Sequence, residues 1–438
     1  MTARDLDLLV LGATGFTGRQ VAHRLAAHPE AAGLRWALAG RRPEALAAVR
    51  DALGPAHAGL PLLTVDTLDP ASIGPAVARA RVVLSTVGPY ARYGDAVVDA
   101  CAAHGTHYCD ITGETAWVSR VIARHHEACA ARGTRLVPFC GFDSVPAELG
   151  VALLTDALGA DGQGPPVDIV AAYRARGGFN GGTLASALHL FGHESLRAAA
   201  DPFSLLPPGP RPPRGPHRDD FTPFTVPHLG GWLAPFFMSP VNARVVRRSH
   251  ALRAAAAGTP DAPLFTYREG TPAGGLPGAW AATAAMGTFT ALATTAPGRS
   301  LLAALGPAPG QGPAEATLDA GWFVADFAAE ADGGARAFAQ VAMRGDPGNR
   351  VTVACLVECA LALVCDADAL PLPGGVLTPG AAFGPHLARR LAARGMVLRT
   401  GDARLPFPAE VRAPGPPAGP AGYGLGASGS GDGGSPPP

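Results

Sequence analysis

Across three glycines near its start, the chain changes from one hydrophobic period to another. Leu8 to Leu11 is an apolar run led in by Asp5 and Asp7, the pattern of a buried parallel strand. From Phe16 onward Val21 and Leu25 recur at helical spacing among Arg19, Gln20, His23 and Arg24. The join is GATGFTG, with Gly12, Gly15 and Gly18 and, between them, Ala13, Thr14, Phe16 and Thr17. Glycine there lets the backbone approach a pyrophosphate, and the free amides and positive end of the helix attract the anion. The spacing is GxxGxxG rather than GxGxxG, and any tight strand-to-helix turn can use glycine. A strand before, a helix after and a place near the N-terminus favour a nucleotide cradle.

The same alternation continues. Arg35–Ala39, Leu60–Asp66, Arg81–Tyr90, Thr106–Glu114 and Thr134–Ser144 read as strands, and Pro43–Leu53, Ser72–Ala80, Asp95–His104 and Thr115–Arg132 as helices. Alternating strands and helices predict an α/β fold with a doubly wound parallel sheet of Rossmann type, its ligand beyond the carboxyl ends of the strands. That rim collects Gly12–Gly18, Arg41–Arg42, Asp66, Val87–Tyr90, Thr112–Glu114 and Cys140–Ser144.

Arg41 and Arg42 close the second strand, where an acid would bind a ribose 2′-hydroxyl and an arginine accommodates a 2′-phosphate. They favour NADP(H) over NAD(H), against the plainer reading of two solvated arginines starting a helix. Asp66 faces the adenine or simply caps a turn. Val87, Gly88 and Pro89 form a sharp turn suited to touching the cofactor. Tyr90 and Tyr93 follow, as stackers or proton donors or as aromatic plugs. Asp143 in GFDSVP caps the helix from Ser144 onward or faces the substrate, the cap being favoured. Tyr90, Tyr93 and Asp143 are the candidate catalytic residues.

Composition removes alternatives. The chain has no lysine, so a lysine Schiff base, a P-loop lysine and a Tyr-x-x-x-Lys pair are excluded. The formal net charge is zero and no basic patch appears, which argues against nucleic acid. Seven dispersed cysteines without a C-x-x-C pair suit a reducing, cytoplasmic setting rather than a disulfide frame. CAAHGTHYC resembles a metal cluster only superficially, because a helix ending at Gly105 and a strand after it aim the side chains apart; no metal is expected. No secretory leader is read at the N-terminus. Residues 271–298 carry no charge and are long enough to span a bilayer, but their Ala, Thr and Gly content suggests a buried or interfacial helix.

Four segments are expected: a Rossmann domain over 1–150, a substrate or dimer domain over 151–345, a segment 346–412 returning to the first domain, and a disordered Gly/Pro/Ser tail over 413–438. Within the second domain, Val167–Gly178, LFTYREG, TLDAGWFVADFAAEADG and ARAFAQVAMRG read as strands of an antiparallel sheet, and residues 201–230 as a Pro-rich surface loop or wrap. FNGGTLASALHLFG reads as a turn and a helix from Thr183.

Taken together, GATGFTG, AGRR, STVGPYARYG, CDITGE, CGFDSVP and GGVLTPGAAFG resemble the saccharopine-dehydrogenase-like oxidoreductases, over about residues 5 to 400. Within them NGGTLAS, NARVVRRSHAL and GPAPGQGP look closest to the trans-acting enoyl reductases of lipid and glycolipid biosynthesis. The resemblance implies NADP(H), a lipid-type enoyl substrate carried by a polyketide synthase, and a split architecture. Eukaryotic members sit on lipid droplets and membranes, so a lipid-surface protein with a retained nucleotide fold is the second expectation. A saccharopine-type dehydrogenase is the third.

Overall fold

The computed structural model describes the chain except residues 1–3, 179–180, 182–183, 186–187, 189–199, 210–211, 213–214, 309 and 413–438. The helix read from Thr183 falls largely outside the described residues, and the tail wholly so.

Two seven-stranded sheets organise the rest. The first runs β13-β6-β5-β4-β1-β2-β3, from β1 (Leu6–Leu11), β2 (Trp36–Gly40), β3 (Leu62–Thr64), β4 (Ala80–Ser85), β5 (His107–Asp110), β6 (Arg135–Val137) and β13 (Gly375–Val376). Every pairing in it is parallel. All six residues of β1 are buried, as a central parallel strand covered on both faces demands. Helices α1 (Phe16–Ala26), α2 (Pro43–Ala52), α3 (Pro70–Ala78), α4 (Tyr90–Tyr93), α5 (Asp95–His104), α6 (Thr115–Arg132) and α7 (Val145–Ala160) follow the strands. Helices α5 and α6 end where Gly105 and Gly133 take left-handed backbone, φ +67° and +71°, which glycine alone adopts freely.

The second sheet runs β14-β12-β11-β7-β10-β9-β8, from β7 (Pro166–Arg176), β8 (Phe224–Val226), β9 (Gly231–Pro235), β10 (Thr266–Pro272), β11 (Trp322–Ala331), β12 (Arg336–Arg344) and β14 (Val397–Gly401). It is mixed, not purely antiparallel: β10 runs parallel to β7, because a long excursion separates them. That excursion carries α8 (Ser239–Ala256) and the Pro-rich stretch. The stretch is more than surface wrap: Phe203 and Leu205 are buried, and the carbonyls of Asp201, Pro202 and Leu205 accept hydrogen bonds from the fully buried Arg244, Arg247 and Arg248 of α8.

After β10 come α9 (Leu276–Thr294), α10 (Ala296–Leu305) and α11 (Glu315–Ala320). The uncharged run supplies the whole of α9, and of the two expectations, a buried or an interfacial helix, the buried one is not met: only Ala279 and Ala293 are buried and Trp280 is 53% exposed. The opposite holds for α12 (Thr352–Cys365), buried from Thr352 to Val364. Among the described residues the stretch Pro347–Cys365 alone is long and apolar enough to cross a membrane, and 83% of it lies inside the fold.

Candidate active site

The glycine turn has the geometry of an anion cradle. Gly12 has φ +85°, and a Cβ there would stand 2.7 Å from Val87 Cγ2. A Cβ on Gly18 would stand 2.1 Å from the Gly12 carbonyl oxygen, so α1 is laid directly on the loop. Gly12 and Ala13 amides donate to the Ala39 carbonyl, and Gly15 donates to Gly12. The amides of Thr14, Phe16, Thr17 and Gly18 have no acceptor among the described residues, as expected of a helix start open to an anion. Thr86 Oγ1 donates to the Leu11 and Gly12 carbonyls, each at 3.2 Å, which clamps the ends of β1 and β4 together. From the far side Gly310 and Gly312 come up against α1: a Cβ on Gly312 would lie 2.3 Å from the Phe16 ring, and Arg19 bridges the Thr14 and Gly310 carbonyls.

Arg41 and Arg42 are exposed at the end of β2, with no partner among the described residues. Gly40 before them faces Thr14 of the cradle, whose Oγ1 lies 3.7 Å from the Cβ position. The residues therefore fit an adenine dinucleotide bearing a 2′-phosphate. Asp66 closes its own turn instead of pointing freely outward: its Oδ1 accepts from the Leu68 amide at 3.0 Å.

At the end of β4 the strand stops at Ser85, and Thr86–Pro89 form a loop with a cis Gly88–Pro89 peptide. Glu114 holds this loop by accepting from the Tyr90 and Ala91 amides, at 2.8 and 2.7 Å. Tyr90 is 3% exposed; its hydroxyl donates to the Ser85 carbonyl at 3.2 Å and accepts from the Ile111 amide at 3.4 Å. Its ring packs 5.8 Å from Trp117. Burial pushes its pKa well above the usual phenol range. Tyr90 is thus a strut between β4 and β5. Tyr93 carries the Arg92 guanidinium over its ring at 5.0 Å.

The third candidate stands differently. Asp143 makes no cap: Ser144 is the N-cap of α7, without a side-chain cap bond, and its Oγ donates to Asn242 instead, at 3.0 Å. This corrects the capping expectation: the N-cap position falls on Ser144, one residue later, and no side chain caps the helix. The Asp143 carboxyl is partly exposed and has no hydrogen-bond or ion-pair partner among the described residues. The residue before it belongs to an aromatic cluster. Phe142 meets Tyr173 edge-on at 6.3 Å and Phe323 at 5.0 Å, and Tyr173 stacks on Phe236 at 4.6 Å. Burial pushes Asp143 up to about 6. Just before it, Phe139 has φ +67°, a left-handed conformation rare for a bulky residue. Its amide is held at 3.4 Å by the buried carboxyl of Asp110, itself raised to about 7 by burial.

The second sheet supplies the opposite wall. Met238, which precedes α8, brings its methyl group to 3.5 Å from the Cβ position of Gly113. Phe236 and the half-exposed Phe237 lie beside it. Behind Asp143 lies a buried polar group that the sequence reading did not single out, Asn242, Tyr267 and Glu269. A signal for it existed: Tyr267 and Glu269, two apart, share one face of a strand that the sequence LFTYREG announces. The cysteine and histidine run is dispersed, as the helix end at Gly105 dictates, and no cluster of possible metal ligands occurs among the described residues. All seven cysteines are free, six of them buried.

Comparison with known proteins agrees with this geometry. The family model described as the saccharopine dehydrogenase NADP binding domain matches residues 8–137. A Mycobacterium tuberculosis protein provisionally named a trans-acting enoyl reductase is 40% identical over 91% of this chain and 98% of its own length. A trans-acting enoyl reductase of Mycobacterium bovis is 36% identical over the same shares. Among solved structures, saccharopine dehydrogenase (L-Glu forming) from Saccharomyces cerevisiae superposes with a TM-score of 0.50 at 14% identity, covering 90% of this chain and 99% of that one.

Proposed function

Since the chain belongs to the trans-acting enoyl reductases, within the saccharopine-dehydrogenase-like oxidoreductases that bind NADP(H), we propose that it reduces the carbon–carbon double bond of an acyl chain. Bound NADPH supplies the hydride for the β-carbon of an enoyl thioester. The amides of Thr14, Phe16, Thr17 and Gly18 hold the pyrophosphate, and Arg41 and Arg42 hold the 2′-phosphate through planar, charge-assisted bonds. Asp143 gives its proton to the α-carbon. Phe142, Tyr173 and Phe236 keep water away from that transfer.

The observation that carries this reading is the partnerless Asp143 carboxyl, raised to about 6 by burial, just beyond the end of β6 and next to Phe142 of an aromatic cluster. A saccharopine-type adduct would bring several carboxylates, for which Phe142, Phe236 and Met238 offer no counter-charge. An acyl chain suits them. The proposed substrate is of lipid type and is delivered as a thioester by a polyketide synthase or similar carrier.

The test is NADPH oxidation with enoyl thioesters of graded chain length, presented on coenzyme A and on an acyl carrier protein. Turnover with them, and none in the reverse direction with saccharopine, supports the proposal. NADPH binding without turnover at any chain length refutes it. A lipid-surface role has one observation in its favour, the uncharged exposed face of α9 with Trp280, Leu276 and, on α10, Leu301 and Leu305. Failure of the protein to sediment with phosphatidylcholine vesicles would remove it.

A further inference from the structure

Behind Asp143 stands a second acid that the reaction above does not use. Glu269 lies in the middle of β10 and is 2% exposed. The Tyr267 hydroxyl donates to its Oε1 at 2.5 Å. Asn242 Nδ2 donates to both carboxyl oxygens, at 3.1 and 2.9 Å. The Oδ1 of the same Asn242 accepts from Ser144, the residue next to Asp143. On the neighbouring strand β7 the Tyr173 hydroxyl is buried beside Glu269 and Tyr267 without a well-aligned partner of its own. A carboxyl so placed is costly to keep ionised and has two phenols at hand through which a proton can pass.

Glu269 is also not sealed. With Tyr267 and Ser239 it lines a crevice of about 10 Å³, which Arg218, Asp219 and Arg268 close on the outer side. That is room for about one water molecule. Burial lifts Glu269 to about 7, helped by the neighbouring Asp143 carboxylate, while Asp143 stands at about 6. The charged and titratable groups facing Glu269 are Asp143 on the cofactor side, Tyr173 and Tyr267 beside it, and Arg218, Asp219, Asp220 and Arg268 along the crevice.

We propose that Glu269 is the proton reserve of the site, holding a proton beside Asp143 and returning one to it after each turnover, with refilling from solvent through the crevice. The inference rests on Asp143 being the proton donor. In each cycle the Asp143 O–H bond breaks as a proton goes to substrate carbon. The Glu269 O–H proton then passes to the Asp143 carboxylate, and a proton from crevice water or its buffer restores Glu269. No oxidant or reductant is involved. Glu269 acts through Asp143 and is a positioning residue.

The test compares the first turnover with the steady state in enzyme equilibrated with NADPH near pH 6 and then mixed with enoyl thioester at about pH 8. Glu269→Gln should leave the first turnover within about twofold and slow later turnovers about tenfold or more, increasingly as pH rises. Asp143→Asn should lose both phases. Equal slowing of both phases by Glu269→Gln, or none, overturns the reserve. A normal first turnover in Asp143→Asn instead overturns the proton-donor reading beneath it. Folding is checked by NADPH binding. Should Glu269→Gln not bind NADPH, Tyr267→Phe decides: it must slow later turnovers more than the first, and equal slowing overturns the proposal.

Discussion

At the residue scale, what was legible was whatever a residue decides locally. Gly12 and Gly18 sit where a Cβ would strike backbone or a neighbouring side chain, and their spacing announced it. Arg41 and Arg42 follow directly from where β2 ends. Asp143 was not legible in the same way, because the N-cap falls one residue later, on Ser144, whose hydroxyl bonds Asn242, 98 positions away. Glu269 was missed because nothing in its own segment marks it as buried, and its partners Asn242 and Tyr173 come from α8 and β7. The arginines give a direct prediction. Arg41→Glu combined with Arg42→Glu should weaken NADPH by roughly a hundredfold or more, from the loss of charge-assisted bonds to phosphate, and leave NADH within a few-fold. Fluorescence titration with both cofactors measures this, and equal losses would show that the arginines are only solvated.

Among elements, two apolar helices show what patterning alone cannot say. Both α9 and α12 are nearly free of charge, and both are long enough to be core helices. The difference lies in what surrounds them. Helix α12 packs against α1 and against β4 and β5 of the parallel sheet, where Glu358 is met by His28 at 3.0 Å, with Arg390 and Arg394 also in contact. Helix α9 rests on β9 and α10 and leaves most of its surface open. Leu356→Ala in α12 should therefore cost about 2–5 kcal/mol in a denaturant melt. Trp280→Ser in α9 should change stability by less than about 0.5 kcal/mol. If the second substitution costs as much as the first, α9 is covered by something in the folded chain. The parallel pairing of β10 with β7 was likewise hidden, since about 90 residues, including α8, β8 and β9, separate the two strands.

Across the whole molecule, the two sheets meet where β5 and β6 end and where α8 begins, and the acids at that junction are buried together. Burial raises Asp110, Glu148 and Glu269 to about 7 and Asp143 to about 6. The folded chain then binds more protons than the unfolded chain between the ordinary carboxyl range and about pH 7, so these groups lower stability as pH rises through that window. The histidines act in the opposite sense, since burial lowers His107 to about 4. A single substitution separates the two. Glu148, whose Oε1 accepts from Ser249, should titrate away its advantage, while a glutamine there cannot. The melting temperature of Glu148→Gln relative to the unaltered protein should climb from about pH 5 to about pH 8; a constant difference would mean that Glu148 is ionised throughout. The central claim is that hydride reaches the β-carbon from NADPH and a proton reaches the α-carbon through Asp143. It is tested most directly by the fate of deuterium in the product. With cofactor deuterated at the transferred position, the reduced acyl chain should carry label at the β-carbon; in heavy water it should carry label at the α-carbon, and Asp143→Asn should form product about a hundredfold more slowly or worse while still binding NADPH. Product formed at the normal rate by Asp143→Asn, or no label from the cofactor, would contradict the account.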